Sequence, residues 1–209
     1  MIALLFSPAA AALALTAAGY LSGSFLSAYY LPLWLGGVDV TRGGDRNPGV
    51  FNAYVQAGVP LGTAALVCEL GKGFWPVWLG VRLFGPDSLW LAVIAAAPVF
   101  GHAFPPQRHF HGGKGIAVSF GVLMGFWPDW LALWLLVFFY LLFSLVLVVS
   151  PHAARSILTY ALWMAAVLLL SPVRSVRLGS LLIGFVVIWR HAHAADAAEK
   201  ARVRLFRRA

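Results

Sequence analysis

The chain has 209 residues, 61% of them hydrophobic and 11% charged, with a formal net charge of +8 and a mean hydropathy of +0.85. Soluble domains carry about 25% charged residues, so a soluble enzyme, a secreted disulfide-framed domain and a disordered chain are excluded, and an integral membrane protein is implied. The single cysteine, Cys68, excludes an internal disulfide, and among apolar neighbours it reads as a small buried core residue.

From Met1 to Val38 there is no charged residue, and no Lys or Arg precedes the apolar run. The segment therefore reads as a first transmembrane helix over about 9–34, not as a signal peptide. Further spans are predicted over about 54–82, 88–104, 115–127, 129–149, 156–171 and 178–192, giving an all-α polytopic bundle of about seven helices. Glu69, Lys72 and Pro76 interrupt the second span and make it a candidate for two shorter pieces. The fourth is short and carries Gly121 and Gly125. A membrane domain over 1–195 and a basic tail over 196–209 account for the chain, and no fixed-period repeat is visible.

Seven spans alternate sides, which lets the basic residues be counted. Arg42, Arg46, Arg108, Lys114, Arg155, Arg190, Lys200, Arg202, Arg204, Arg207 and Arg208 fall on one side, and only Arg82, Arg174 and Arg177 on the other. The richer side is expected to be cytoplasmic, with the N-terminus outside and the C-terminus inside. The positive charge then reads as topology and attraction to anionic lipid, with the tail from Lys200 to Arg208 lying on the lipid surface. No nucleic-acid recognition element accompanies it. Trp34, Trp75, Trp78, Trp90, Trp127, Trp130 and Trp189 fall near span ends, as an interfacial belt requires.

The scarce polar residues gather in two loops on the basic side. The first runs from Asp39 through Thr41-Arg42-Gly43-Gly44-Asp45-Arg46-Asn47-Pro48-Gly49 to Asn52. The second runs from Gly101-His102 through Pro105-Pro106-Gln107-Arg108-His109-Phe110-His111 to Gly112-Gly113-Lys114-Gly115. The second has the outline of a phosphate cradle, because glycines turn the backbone tightly, Lys114 brings a mobile cation, and an apolar helix starts directly afterwards. It is not the nucleotide P-loop, since that spacing is absent and Ile116 stands where the hydroxyl would be. A plain membrane turn with a Lys at headgroup level is the alternative. Asp45 complicates an anion site in the first loop, since a carboxylate repels phosphate. Glu69 and Lys72, one helical turn apart, are either a self-neutralising pair or intramembrane functional groups.

These segments, in order, resemble one family. Tyr20-Leu21-Ser22-Gly23-Ser24 resembles its Tyr-x-x-Gly-Ser opening, and Gly43 to Asn52 its Gly-Ser-Gly-Asn-x-Gly-Ala-Thr-Asn loop. Glu69-Leu70-Gly71-Lys72-Gly73 resembles its Asp-x-x-Lys-Gly, Gly101 to Pro105 and Gly112 to Ala117 its Gly-His-x-Phe-Pro and Gly-Gly-Lys-Gly-Val-Ala, and Arg190-His191 the start of its Arg-His-x-x-Asn. The family is that of the acyl-phosphate-dependent glycerol-3-phosphate acyltransferases of bacterial phospholipid synthesis, the PlsY type. The resemblance implies a seven-helix protein of the bacterial inner membrane with its motif loops cytoplasmic. It implies transfer of a fatty acyl group from acyl phosphate to glycerol 3-phosphate, giving lysophosphatidic acid and phosphate, with membrane lipid as surroundings and no cofactor or metal. It points to Lys114, His102, His191 and Ser24 as catalytic candidates. Asn47, Gly49, Asn52, Arg46, Lys72, Gly112, Gly113, Gly115, Ser156 and Arg190 are the candidates for substrate binding, with the amides of Gly112 to Gly115 neutralising phosphate.

Departures from the family pattern concentrate in the acceptor-binding motifs. Asp45 stands where the family has Ser, Arg46 where it has Gly, Phe51 where it has Thr, Val55 where it has Arg, Ala153 where it has Ser and Ala194 where it has Asn; His111 replaces a Lys. These leave open a divergent paralogue with another acceptor, or a lipid-binding or transport protein of the same fold. His191 and Asp196 fit a His-x4-Asp acyltransferase spacing, and His109-x-His111 a metal pair, but both lack the partner residues such sites require.

Overall fold

The computed structural model describes residues 7–194 and 200–206. Residues 1–6, 195–199 and 207–209, and with them the expectations for Asp196, Arg207 and Arg208, lie outside the described residues. Eight α-helices occur among those described: α1 Pro8–Ser24, α2 Ser27–Gly36, α3 Val50–Phe84, α4 Trp90–Ala103, α5 Ile116–Met124, α6 Leu131–Leu141, α7 His152–Leu170 and α8 Arg174–Ala192. A π-helical turn, Leu142–Val146, prolongs α6 and leads into a strand, β1 Leu147–Ser150, which pairs antiparallel with β2 Arg202–Leu205. The chain is thus mostly helical, with one small sheet.

The expected first span is broken. α1 and α2 meet at a 45° bend after Ser24, in a stretch with no proline to announce it. A broken helix inside a membrane must find partners for the backbone groups it releases, and α3 supplies them. Lys72 Nζ donates to the carbonyls of Gly23 at 2.9 Å and Phe25 at 2.7 Å, while Glu69 Oε1 accepts from Ser27 Oγ at 2.7 Å and from the Ala28 amide at 3.4 Å. Conversely, α3 is not divided at Glu69, Lys72 or Pro76. Its interruption lies earlier, at Gly58, whose φ of 83° only glycine adopts readily, with Pro60 two residues on.

Among the described residues, three helices are long and apolar enough to cross a membrane singly, α3, α7 and α8, and a fourth crossing is made if α1 and α2 count as one bent span. The fourteen residues of α4 and nine of α5 extend only about 21 and 14 Å at 1.5 Å per residue, short of a hydrocarbon core of about 30 Å. Both are wedged among longer neighbours. α1 packs on α4, α5 on α3, α8 on both α4 and α7, and α2 on α3.

Small residues set these crossings. A Cβ at Gly23 would lie 2.1 Å from the Pro98 carbonyl oxygen and one at Gly101 2.0 Å from that of Tyr20, so α1 and α4 touch backbone to backbone. Gly121 makes the same approach to Leu70 across α3 and α5. The buried core runs from Val77 and Ile94 through Val118 and Val122 to Tyr160, Trp163, Ile183 and Val187. Cys68, expected in a core, is exposed on α3, on a face turned outward with Val67 and Trp75. Trp34, Trp75, Trp90, Trp127 and Trp189 are likewise exposed, as membrane-facing rings would be. Residues 202–205 of the tail, expected flat on lipid, instead pair with β1 in the register Leu147 to Leu205 and Val148 to Arg204. The apolar run 147–149 had been read as the end of a helix.

Candidate active site

The two polar loops meet at a cavity of about 1000 Å³ that both of them line. Gly44, Asp45, Asn47, Gly49 and Asn52 of the first loop line its wall together with His102, Lys114 and Gly115 of the second and with Glu69. Leu66, Ile116, Phe120, Leu145 and Val148 continue it as an apolar trough, and His152 and Arg155 enter from the start of α7. The lining thus combines polar loop residues with apolar side chains, and Tyr140, Ser144, His152 and Arg155 add polar groups to it.

Lys114 is held deep in this wall. Its side chain is 8% exposed and its Nζ lies 2.8 Å from Asp45 Oδ2. The other carboxylate oxygen, Asp45 Oδ1, accepts from the Asn47 amide at 3.1 Å and from Asn52 Nδ2 at 2.9 Å, and Asn52 also donates to the Asn47 carbonyl. Burial pushes the Asp45 carboxyl up, but the hydrogen bond and charge of Lys114, with the Asn47 and Asn52 donors, outweigh it and hold it below the usual carboxylate range.

His102 is fixed from behind. Glu69 Oε2 lies 3.0 Å from His102 Nδ1 and 2.9 Å from Lys72 Nζ, with the Glu69 and Lys72 side chains 0% and 8% exposed. Nδ1 also lies 3.2 Å from Lys72 Nζ, and Nε2 is the ring atom turned to the glycine loop. A Cβ at Gly113 would lie 2.1 Å from Nε2, and one at Gly112 2.0 Å from the His102 carbonyl oxygen. The loop must therefore be Gly-Gly here for reasons of space.

The expected four-amide cradle is shorter than the sequence suggested. The amides of Gly112 and Gly113 bond the carbonyls of Ala103 and His102, closing the end of α4. What remains is the end of the loop: Gly115, at φ 84°, caps α5, and Gly115, Ile116 and Ala117 at the start of that helix line the cavity. Arg190 donates to the carbonyls of Gly112 and Gly113, bracing the loop from α8, and does not line the cavity.

Other expected residues also stand back from it. Lys72 is committed to the α1–α2 break and Glu69. Ser24 Oγ donates to the Leu21 carbonyl, and Arg46, at φ 57°, points out of the loop and is exposed. Ser156 is buried, its Oγ 3.4 Å from the hydroxyl of Tyr140, which does line the cavity. His191 is buried, Nδ1–H donating to the Val187 carbonyl at 2.8 Å, and its ring stacks obliquely behind His152 with centroids 5.7 Å apart. Asn47, Gly49, Asn52, His102, Lys114 and Gly115 are brought together around this cavity. His152 was missed, and Arg155 had entered only the charge count. Their signal was a polar cluster, His152 to Ser156, at the head of an otherwise apolar helix.

Residues 13–198 match the family model described as glycerol-3-phosphate acyltransferase. The chain belongs to this family. It is 38% identical over 189 residues to the glycerol-3-phosphate acyltransferase of Myxococcus xanthus, covering 90% of this chain and 83% of that one. It is 34% identical over 151 residues to glycerol-3-phosphate acyltransferase 2 of Thermotoga maritima, covering 72% and 73%. Its fold matches the crystal structure of PlsY (YgiH), an integral membrane glycerol 3-phosphate acyltransferase, in its glycerol 3-phosphate form, with a TM-score of 0.74, 28% identity and 87% and 88% coverage. The lysophosphatidic acid form of the same protein matches with a TM-score of 0.73. The family assignment makes the chain a multi-pass membrane acyltransferase, in agreement with its apolar helices.

Proposed function

We propose that the chain transfers a fatty acyl group from acyl phosphate to glycerol 3-phosphate, releasing lysophosphatidic acid and inorganic phosphate. The observation that carries this reading is that Lys114 and the start of α5 share one cavity with the apolar side chains of Leu66, Phe120, Leu145 and Val148. That pairing suits an anionic head on an acyl chain. Ligand cavities commonly reach about 300–1,000 Å³, and this one lies at the large end, as two substrates require.

In this reading the acyl chain lies along Leu66, Phe120, Leu145 and Val148, and the donor phosphate sits at Lys114 and the first turn of α5. Asn47, Gly49 and Asn52 orient the acceptor, and Arg155 supplies positive charge and His152 a hydrogen-bonding ring nitrogen for its phosphate, in place of the residues that this chain lacks relative to the family pattern. Val55, at the position of the family Arg, is exposed and does not line the cavity. The acceptor's primary hydroxyl oxygen attacks the acyl carbonyl carbon. The tetrahedral adduct collapses with cleavage of the acyl C–O bond, and phosphate leaves with that electron pair. The hydroxyl proton passes to a phosphate oxygen of the acceptor. Because phosphate is already a good leaving group, rate comes mostly from alignment and from holding two anions in a site shielded from water. His102, steadied by Glu69, is a donor toward phosphate or carbonyl oxygen, and Arg190, His191 and Ser156 support the loop and the α7–α8 wall.

The same reading assigns seven membrane passages, with α1–α2 as one bent span and α4 and α5 as short passages within the bundle. The excess of Arg and Lys beside both polar loops supports a cytoplasmic site, in the inner membrane of a bacterium. The test is product identity: detergent-purified protein given palmitoyl phosphate and radiolabelled glycerol 3-phosphate yields labelled lysophosphatidic acid. Unchanged glycerol 3-phosphate with intact acyl phosphate would favour a lipid-binding protein of the same fold.

A further inference from the structure

We propose that Asp45 is a carboxylate latch: it occupies the anion position at Lys114, and substrate phosphate must displace it to bind. The inference rests on the reading of Lys114 as the phosphate-binding cation. Asp45 Oδ2 lies 2.8 Å from Lys114 Nζ, while Oδ1 takes the Asn47 amide and the Asn52 carboxamide. An ammonium, a backbone amide and a side-chain amide are the ligands a phosphate oxygen would take, and here all three converge on the protein's own carboxylate. All four residues line the cavity.

A phosphate cannot join Asp45 at Lys114 without bringing like charges together in a partly dehydrated pocket, so the two anions exclude one another. The loop has the means to move. The turn before it is pinned, Gln56 Nε2 donating to the Val40 carbonyl at 2.6 Å and Asp39 capping Thr41. Asn52 is fixed in the first turn of α3. Between these anchors lie Gly43 and Gly44, the latter at φ 58°, directly before Asp45. A rotation there withdraws the carboxylate toward solvent, where its side chain is already 38% exposed. Asp45 therefore sets how much phosphate the site needs before it opens, and sharpens selection for doubly charged phosphates over singly charged carboxylates.

The experiment is titration of inorganic phosphate into the detergent-solubilised full chain by calorimetry, for wild type, Asp45→Asn, Asp45→Ser and Lys114→Gln, with thermal melts to verify folding. Asp45→Asn keeps a side-chain acceptor for Asn47 and Asn52 and removes only the charge. Both Asp45 variants are expected to bind phosphate at least about 5-fold more tightly than wild type, and KM for palmitoyl phosphate to fall by a similar factor. Unchanged or weaker binding in both would overturn the latch, since a scaffolding carboxylate would lose affinity when neutralised. Failure of both variants to fold overturns it too. If Lys114→Gln binds phosphate as wild type does, the reading of Lys114 fails independently of Asp45.

Discussion

Replacing Glu69 with Gln tests the load placed on one buried carboxylate. The side chain is 0% exposed, and its oxygens meet Lys72 Nζ at 2.9 Å, His102 Nδ1 at 3.0 Å, Ser27 Oγ at 2.7 Å and the Ala28 amide at 3.4 Å. Gln preserves the volume but leaves Lys72 without its counter-charge, and breaking a buried pair costs about 3–5 kcal/mol. Because Lys72 keeps the carbonyls of Gly23 and Phe25, we take the lower end, about 3 kcal/mol. At about 2–4 °C per kcal/mol for a chain of this size, the melting temperature should drop by about 6–12 °C. The nine tryptophans give an intrinsic fluorescence readout of unfolding in detergent. The double variant Glu69→Gln/Lys72→Met should be less destabilised than the two single losses summed, by about 1 kcal/mol or more, because the groups interact directly. A drop below about 2 °C, or strict additivity, would refute the view that this pair holds the α1–α2 break together.

Two more outcomes follow from the site geometry. Gly113→Ala places a Cβ 2.1 Å from His102 Nε2, and since a displacement of about 1 Å costs on the order of 10²-fold in rate, kcat should fall by that order while the melting temperature changes by only a few degrees; near-normal turnover would show that His102 need not hold its position. The second concerns pH. The Asp45 carboxyl is held below its ordinary value, so its stabilising contribution is present above the unfolded pKa of about 3.9 and is lost as pH falls through the folded value. Wild type should melt above Asp45→Asn by a constant margin from neutral pH down to about pH 5, and the margin should close below about pH 4; a margin that grows on acidification contradicts the contact with Lys114.

Much of the site was legible because a membrane protein spends few residues on polarity. Loops 39–52 and 101–115 are dense in polar groups within an otherwise apolar chain, and they do meet, through Lys114 and Asp45, 69 positions apart. What the sequence concealed has physical causes. The bend after Ser24 has no proline, because its released carbonyls are satisfied from another helix by Lys72, a long-range solution invisible to local pattern. Pro76 looked like a break but is buried in a continuous α3, whereas Gly58, unremarked, supplies the left-handed residue that interrupts it. Leu147-Val148-Val149 is a short apolar run, and such runs do not distinguish strand from helix until a partner strand is known. The amides of Gly112 and Gly113 looked available for phosphate. Their use in closing α4 depends on a chain reversal at His109 and Phe110, both at positive φ, which glycine counting does not reveal.

The most direct measurement of the central claim is inorganic phosphate release from palmitoyl phosphate by the purified full chain, with and without glycerol 3-phosphate, for wild type and Lys114→Ala. Release that requires glycerol 3-phosphate and falls by about 10²-fold or more in folded Lys114→Ala is expected, the loss typical of removing one group that stabilises developing charge. Full turnover in folded Lys114→Ala, or no glycerol 3-phosphate-dependent release from wild type, would contradict it.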